Sequence, residues 1–285
     1  MTSSSSRDSV GLVLLGVGVV SVGAAAVLVR LADAHPLTTS FSRLALGGAV
    51  LLVAVACTGR PFPRGAELRR ALVAGVLLAA HFALWIASLS LTSVAASVVL
   101  VCLQPVFVAV LARVFLGERS EAQSLVGVAV SLAGALLIAA DASGAHSGLA
   151  GDALAIAGAV AIAVYVLVLR TQRGDVLATS AVVTSTAALV LLPLCLAAGA
   201  PLLPSSSAQA GWLLVLALGP QVVGHTALNA ALKRLPATLV SGSILGEPVI
   251  ASGLAFLVLD EKPGARTAAG ALVTLVGLVL LLGRR

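Results

Sequence analysis

The chain carries an internal copy of itself. The stretch around Gln104, Pro105 and Gly117-Glu118 recurs around Glu247, Pro248 and Asp260-Glu261 at a constant separation of 143 residues. The same shift carries Gly127, Ser131 and Gly134 onto Gly270, Thr274 and Gly277 without a gap. Both copies run through almost unbroken apolar sequence. A hydrophobic unit of this size, used twice, is how many membrane carriers build two halves around a central path.

Composition sets the solvent. Hydrophobic residues make up 60% of the chain and charged residues 10%, with a mean hydropathy of +1.14, whereas soluble domains are about one-quarter charged. We read an all-α integral membrane protein. A bilayer core takes about 20 apolar residues per helix, which gives ten spans: Val10–Arg30, Thr38–Cys57, Ala71–Ser90, Ser93–Phe115, Ser124–Ala140, Asp152–Arg170, Thr179–Ala200, Gly211–Leu232, Ala237–Leu259 and Ala265–Gly283. Segments of alternating polarity are absent, which argues against a transmembrane barrel.

A net charge of +6 does not point to nucleic acid, because the basic residues are scattered between spans and only Arg60, Arg64, Arg69 and Arg70 gather. Sorted by alternate loops, Arg7, that group, Arg119, Arg170, Arg173, Lys233, Arg234, Arg284 and Arg285 fall on one side, against Arg30, Lys262 and Arg266 on the other. The positive-inside rule then makes both termini cytoplasmic. The polar N-terminus followed by an apolar run resembles a secretory signal, but the run is long enough to span a bilayer and the repeat uses it as its first helix. Cys57, Cys102 and Cys195 lie within spans, without metal-type spacing, and read as reduced packing residues.

Five spans per repeat is an odd number, so the second copy enters the membrane from the opposite face. Glu118-Arg119 is then cytoplasmic and Glu261-Lys262 external. Fainter matches extend the repeat: Val29-Arg30 with Leu169-Arg170, Thr39-Ser40 with Thr179-Ser180, and His81-Phe82-Ala83-Leu84 with His225-Thr226-Ala227-Leu228. We expect residues 1–141 to form the first repeat, 142–151 a Ser- and Gly-rich linker and 152–285 the second. A Pro- and Ser-rich loop over Gly199–Gln209 falls inside the second.

The segments TSVAASVVLVCLQPVFVAVLARVFLGERSEAQSLVGVAVSLAGALLI and LKRLPATLVSGSILGEPVIASGLAFLVLDEKPGARTAAGALVTLVGLVLLL share small residues, a mid-helix proline, an apolar run closed by Gly-Glu or Asp-Glu, and a Gly-rich helix. In this they resemble the EamA-type family of the drug/metabolite transporter superfamily. The resemblance implies ten helices, cytoplasmic termini and secondary transport, commonly export, of amino acids or other small metabolites across the inner membrane. Asp260 stands where the pattern usually has Gly, and the pair His81 and His225 is not a general mark of the family.

Glu247 is the sharpest polar candidate, a carboxylate near the middle of the ninth span, where charge costs several kcal/mol unless paired or hydrated. It serves either proton coupling or a cationic group on the cargo, or else it is a structural carboxylate, protonated or paired with an arginine. Gln104 holds the equivalent place in the first repeat. Pro105 and Pro248 strip hydrogen bonds from the carbonyls of Val101 and Ile244, and the helix kinks they imply read as facing a cavity rather than as packing bends.

Arg43 sits inside the second span with no acidic neighbour in sequence. It attracts a carboxylate-bearing substrate, pairs with Glu247, or snorkels outward to headgroups; Arg113, near a span end, reads as snorkelling. Gln221, His225 and Asn229 recur every four residues, a polar stripe that must face the bundle interior. His81 and Trp85 form the matching face of the third span, with Ser88 a turn further, and Tyr165 is a weaker candidate. We expect these two faces to line the substrate path, the histidines donating hydrogen bonds or moving protons and Trp85 stacking on the cargo. Gly127, Ser131 and Gly134, like Gly270, Thr274 and Gly277, make small-residue faces for close helix contact, with each other or at a dimer surface.

Together these readings describe a carrier of a small organic solute working by alternating access, with no cofactor or metal, optional proton coupling, and a monomeric or homodimeric state. An uptake permease shares every feature. A polytopic enzyme needs clustered acidic or His residues at a membrane edge, and the four histidines are scattered; a receptor leaves the duplication unexplained.

Overall fold

The computed structural model describes residues 3–89, 91–92, 97, 100–141, 148–260 and 262–283. Expectations on the first residues of the fourth span, most of the 142–151 linker, Glu261, Arg284 and Arg285 lie outside these, as does the side chain of Arg7. Among the described residues every regular element is helical: α1 Ser3–Gly23, α2 Ala25–Ala32, α3 Pro36–Thr58, α4 Gly65–Leu89, α5 Gln104–Leu116, α6 Ala122–Asp141, α7 Leu149–Arg170, α8 Val176–Ala197, α9 Ser207–Leu216, a π-helical segment Ala217–His225, α10 Thr226–Leu232, α11 Ala237–Ser243, a short 3₁₀ turn Ile244–Gly246, α12 Glu247–Leu259 and α13 Ala265–Leu282. Among the described residues eight stretches are long and apolar enough to cross a membrane: Ser9–Ala32, Pro36–Thr58, Gly65–Ser88, Leu149–Arg170, Val176–Ala197, Ser207–Leu232, Ala237–Leu259 and Ala265–Leu282. Gln104–Leu116 and Ala122–Ile138 are apolar but shorter.

Local chemistry explains the helix ends. His35 caps α3, its Nδ1 accepting from the Leu37 N–H at 3.3 Å, with Pro36 preset for the first turn. Asp175 caps α8 through the Ala178 N–H at 3.0 Å, and Ser206 caps α9 through the Gln209 N–H at 3.1 Å. Helices α5 and α12 stop alike, on left-handed residues: Gly117 at φ 67° and Asp260 at φ 55°. Asp is among the few side chains that adopt this conformation readily, so the departure at Asp260 leaves the stop intact.

Three spans are less continuous than their sequence suggests. The eighth, expected as one α-helix, is α9, the π segment and α10; Pro220 lies inside the π segment and denies the backbone a regular i→i−4 bond there. Pro105 and Pro248 each lie in the first turn of a helical segment, α5 and α12, the latter joined to α11 through the 3₁₀ turn within one span.

The residues cluster into two compact units. The first comprises 1–83 and 168–234. In it α3 packs along α8, α1 lies on the π segment and α10, and α2 lies on α9. Leu51, Val55, Ala178 and Ala181 form a buried cluster between α3 and α8, with Leu177 and Val222 against it. The second comprises 84–167 and 235–285, with α6 packed on α13 and α11 on α5. Each unit therefore draws on both halves of the sequence.

The α6–α13 pair is built on the small residues singled out in sequence. A Cβ on Gly127 would lie 2.8 Å from the Gly277 carbonyl oxygen, and one on Gly270 2.6 Å from that of Gly134. The two backbones therefore touch. Ser131 Oγ donates to the Thr274 carbonyl at 3.3 Å and Thr274 Oγ1 returns a bond to the Ser131 carbonyl at 3.4 Å.

Candidate functional site

The polar chemistry of the first unit gathers on Arg43. Only 7% of this residue is exposed, which places the guanidinium among the helices. Its Nε donates to Gln221 Oε1 at 3.2 Å and its Nη2 to His225 Nε2 at 3.4 Å. The ring of Phe82 lies beneath it, 5.0 Å from the centroid to Cζ, where the ring quadrupole attracts a cation. Gln221 is held from its other end, Nε2 donating to Thr184 Oγ1 at 3.4 Å.

The sequence arranges this closeness. Gly47 follows Arg43 by one helical turn on the same face, and a Cβ there would lie 2.8 Å from Gln221 Cγ. A bare backbone at that turn lets the π segment approach α3 and bring Gln221 and His225 to the guanidinium. Gly48 does the same for α8, where a Cβ would lie 2.8 Å from Ser185 Oγ.

The stripe continues downward. Asn229 Nδ2 donates to Ser180 Oγ at 3.1 Å, and both are buried. His81 stands beside Phe82, ring centroids 5.2 Å apart, so Arg43, His81, Gln221, His225 and Asn229 all belong to this unit. Phe82, Ser180 and Thr184 were not singled out as site residues, although Phe82 lies within the His81–Leu84 repeat match and Ser180 within the Thr179-Ser180 one. The spacing of Ser180 and Thr184, one turn apart on α8, was the available signal.

The remaining candidates belong to the second unit. Gln104 and Glu247 each begin a helix and are half-buried, and Pro105 is buried. Trp85 is half-buried, with its carbonyl accepting from Ser88 Oγ at 2.7 Å; Ser88 Oγ also bonds Ser97 Oγ at 2.6 Å. Tyr165 is buried. Among the described residues no group of His, Cys, Asp and Glu is disposed to hold a metal, and Cys57, Cys102 and Cys195 are free thiols.

At one end of the first unit the loop between α7 and α8 is tied down. Arg60 Nη1 meets Asp175 Oδ2 at 2.8 Å, Glu67 Oε2 accepts the Arg173 N–H at 3.0 Å, and Lys233 Nζ donates to the Gly174 carbonyl. Arg170 Nη1 donates to the Leu232 carbonyl at 2.6 Å. Burial works to raise the Asp175 carboxyl, but the Ala178 N–H, the Arg60 guanidinium and the Leu177 N–H outweigh it and hold the group below its ordinary 3.8. Burial lowers the Lys233 ammonium from 10.5, against the pull of Asp175 and Glu67.

Apolar helices of membrane-spanning length with a buried cation and polar stripe define a multi-pass membrane protein. Comparison with known proteins is consistent with that class and narrows it. The chain matches the EamA-like transporter family over residues 9–140 and 149–283, and it belongs to that family. It is 30% identical over 258 residues to a protein of Streptantibioticus cattleyicolor described as a probable terminal-alkyne amino-acid exporter, covering 86% of this chain and 85% of that one. A crystal structure shares the fold, with a TM-score of 0.84 at 18% identity over 96% of this chain and 98% of the other.

Proposed function

We propose that the chain is a secondary carrier, not an enzyme, which exports a small amino-acid-like solute across the inner membrane by alternating access. In this reading ten helices form two inverted five-helix repeats, residues 1–141 and 152–285, with both termini cytoplasmic. The observation that carries it is the buried Arg43 fork, held by Gln221 and His225 over Phe82. A guanidinium is the group best suited to a carboxylate, and one kept inside apolar helices at several kcal/mol needs a purpose there. The exporter of amino acids among the relatives supports the cargo class. His81, Gln221, His225 and Asn229 line the path with Arg43 in the first unit; in the second unit Glu247 takes and releases a coupling proton.

Exchange in proteoliposomes tests this. Vesicles preloaded with a labelled α-amino acid should lose label faster when unlabelled compound is outside, and a pH gradient should drive accumulation. Glu247→Gln should keep exchange and lose the pH-driven component. A wild-type protein that exchanges none of a panel of amino acids, carboxylates and amines contradicts the proposal.

A further inference from the structure

Cations gather at the link between α3 and α4. The run Gly59-Arg60-Pro61-Phe62-Pro63-Arg64-Gly65 begins and ends on a glycine in the left-handed region, φ 63° and φ 54°, and its two prolines fix their own backbone angles. Arg60 is tied to Asp175 at 2.8 Å and Pro63 is buried. The link is therefore held in place, yet it presents Phe62 at 43% exposure. Both flanking helices are of membrane-spanning length, Pro36–Thr58 and Gly65–Ser88, so the six residues between them lie at the bilayer surface.

The charges there are only half answered from within the chain. Arg60 pairs with Asp175, and Arg70 with Glu67 at 2.7 Å. The side chains of Arg64 and Arg69 are exposed and have no ion-pair or hydrogen-bond partner among the described residues. They do nothing for α4, whose N-terminal end is the positive pole of its peptide dipoles and repels cations. Nor does the turn need them. At a separation of 140 residues Gly59 and Pro61 fall on Gly199 and Pro201, where the second repeat starts a turn alike: Gly199 is left-handed at φ 64° and Leu203 is 78% exposed. Residues 198–206 hold no charge. An exposed apolar side chain is common to both turns, and the cations belong to one.

An apolar side chain at the bilayer surface, beside guanidinium groups that nothing neutralises, matches a lipid whose headgroup is an anionic phosphate. We propose that this link is a binding site for an anionic phospholipid, Arg64 and Arg69 taking the phosphate charge and Phe62 resting against the first acyl carbons. The lipid braces the joint that Arg60 and Asp175 already tie, at the end of the helix that carries Arg43. None of this depends on the cargo.

Melting of the purified full chain in detergent micelles doped with phosphatidylglycerol, or with phosphatidylcholine of the same acyl chains, tests the site. Phosphatidylglycerol should raise the midpoint more than phosphatidylcholine in about 0.1 M salt, and the difference should shrink in about 1 M salt, where charges are screened within about 3 Å. Apparent affinity for phosphatidylglycerol should fall about thirty-fold in the double variant Arg64→Gln, Arg69→Gln, about five-fold for each arginine. If the double variant does not fold, the two single variants give the answer. Phe62→Ser should weaken both lipids alike, and Leu203→Ser in the second repeat's turn should leave phosphatidylglycerol affinity unchanged. Glycerol 1-phosphate, the headgroup anion without acyl chains, should not shift the midpoint. Equal stabilisation by the two lipids, or unchanged phosphatidylglycerol affinity in the arginine variants, would overturn the proposal. A shift by glycerol 1-phosphate as large as the lipid's would overturn it too, by making the ligand a free anion.

Discussion

Arg43 is worth its burial only if its surroundings offset the cost of a charge among apolar helices, about 2.5–3.5 kcal/mol on insertion scales. Gln221, His225 and the Phe82 ring supply that compensation, and the planar fork keeps further N–H donors in fixed directions. Lysine keeps the charge and loses the fork. Arg43→Lys should therefore weaken cargo affinity in exchange by roughly 10- to 100-fold, as for the loss of a hydrogen bond between charged groups, and lower the melting temperature as well, since the bonds to Gln221 and His225 are lost. Unchanged affinity would remove Arg43 from the binding site. Asp175 contributes differently. Its folded pKa lies below 3.8, so its contribution is fully present above that value and is lost as pH falls through the lower, folded one. Because Arg60 is half exposed, most of the effect is the helix cap. Asp175→Asn, which still caps, should cost well under about 1 kcal/mol and Asp175→Ala about 1 kcal/mol, read as melting temperature at pH 7, with the difference from wild type shrinking on acidification.

At the scale of elements, the small-residue pair α6–α13 makes a sharp contrast with a glycine that touches nothing. A Cβ on Gly127 meets Leu281 N at 2.5 Å and the Gly277 carbonyl at 2.8 Å, all backbone, whereas one on Gly16 meets nothing within 4 Å. Gly127→Ala should destabilise the protein by about 1–3 kcal/mol through overpacking; Gly16→Ala should be neutral or gain up to about 1 kcal/mol from helix propensity. Melting curves of the two variants, side by side, decide it. The glycine face was legible because spacings of three and four residues survive in any α-helix. The π segment was not, since Pro220 announces a disturbance without saying whether the chain kinks, breaks or widens. The stripe Gln221, His225, Asn229 was legible for the same periodic reason, yet its partners Ser180 and Thr184 were not, because contacts between α8 and the eighth span join residues some 40 apart, 37 for Thr184 and 49 for Ser180.

For the whole molecule, composition alone announced the membrane and the duplicated motif announced the family; neither announced the compact units. Residues 1–83 join 168–234, and 84–167 join 235–285, an exchange of helices between sequence halves that no local pattern encodes. In the proposed function the stripe on the eighth span faces a path open to each side in turn. Asn229→Cys, in a chain whose Cys57, Cys102 and Cys195 are replaced by serine, places one thiol on that stripe. An impermeant thiol reagent applied to vesicles from outside, and separately from within, should label it from both faces, and a transported α-amino acid should slow both reactions. Labelling from one face only, whatever the substrate, would contradict alternating access through this stripe.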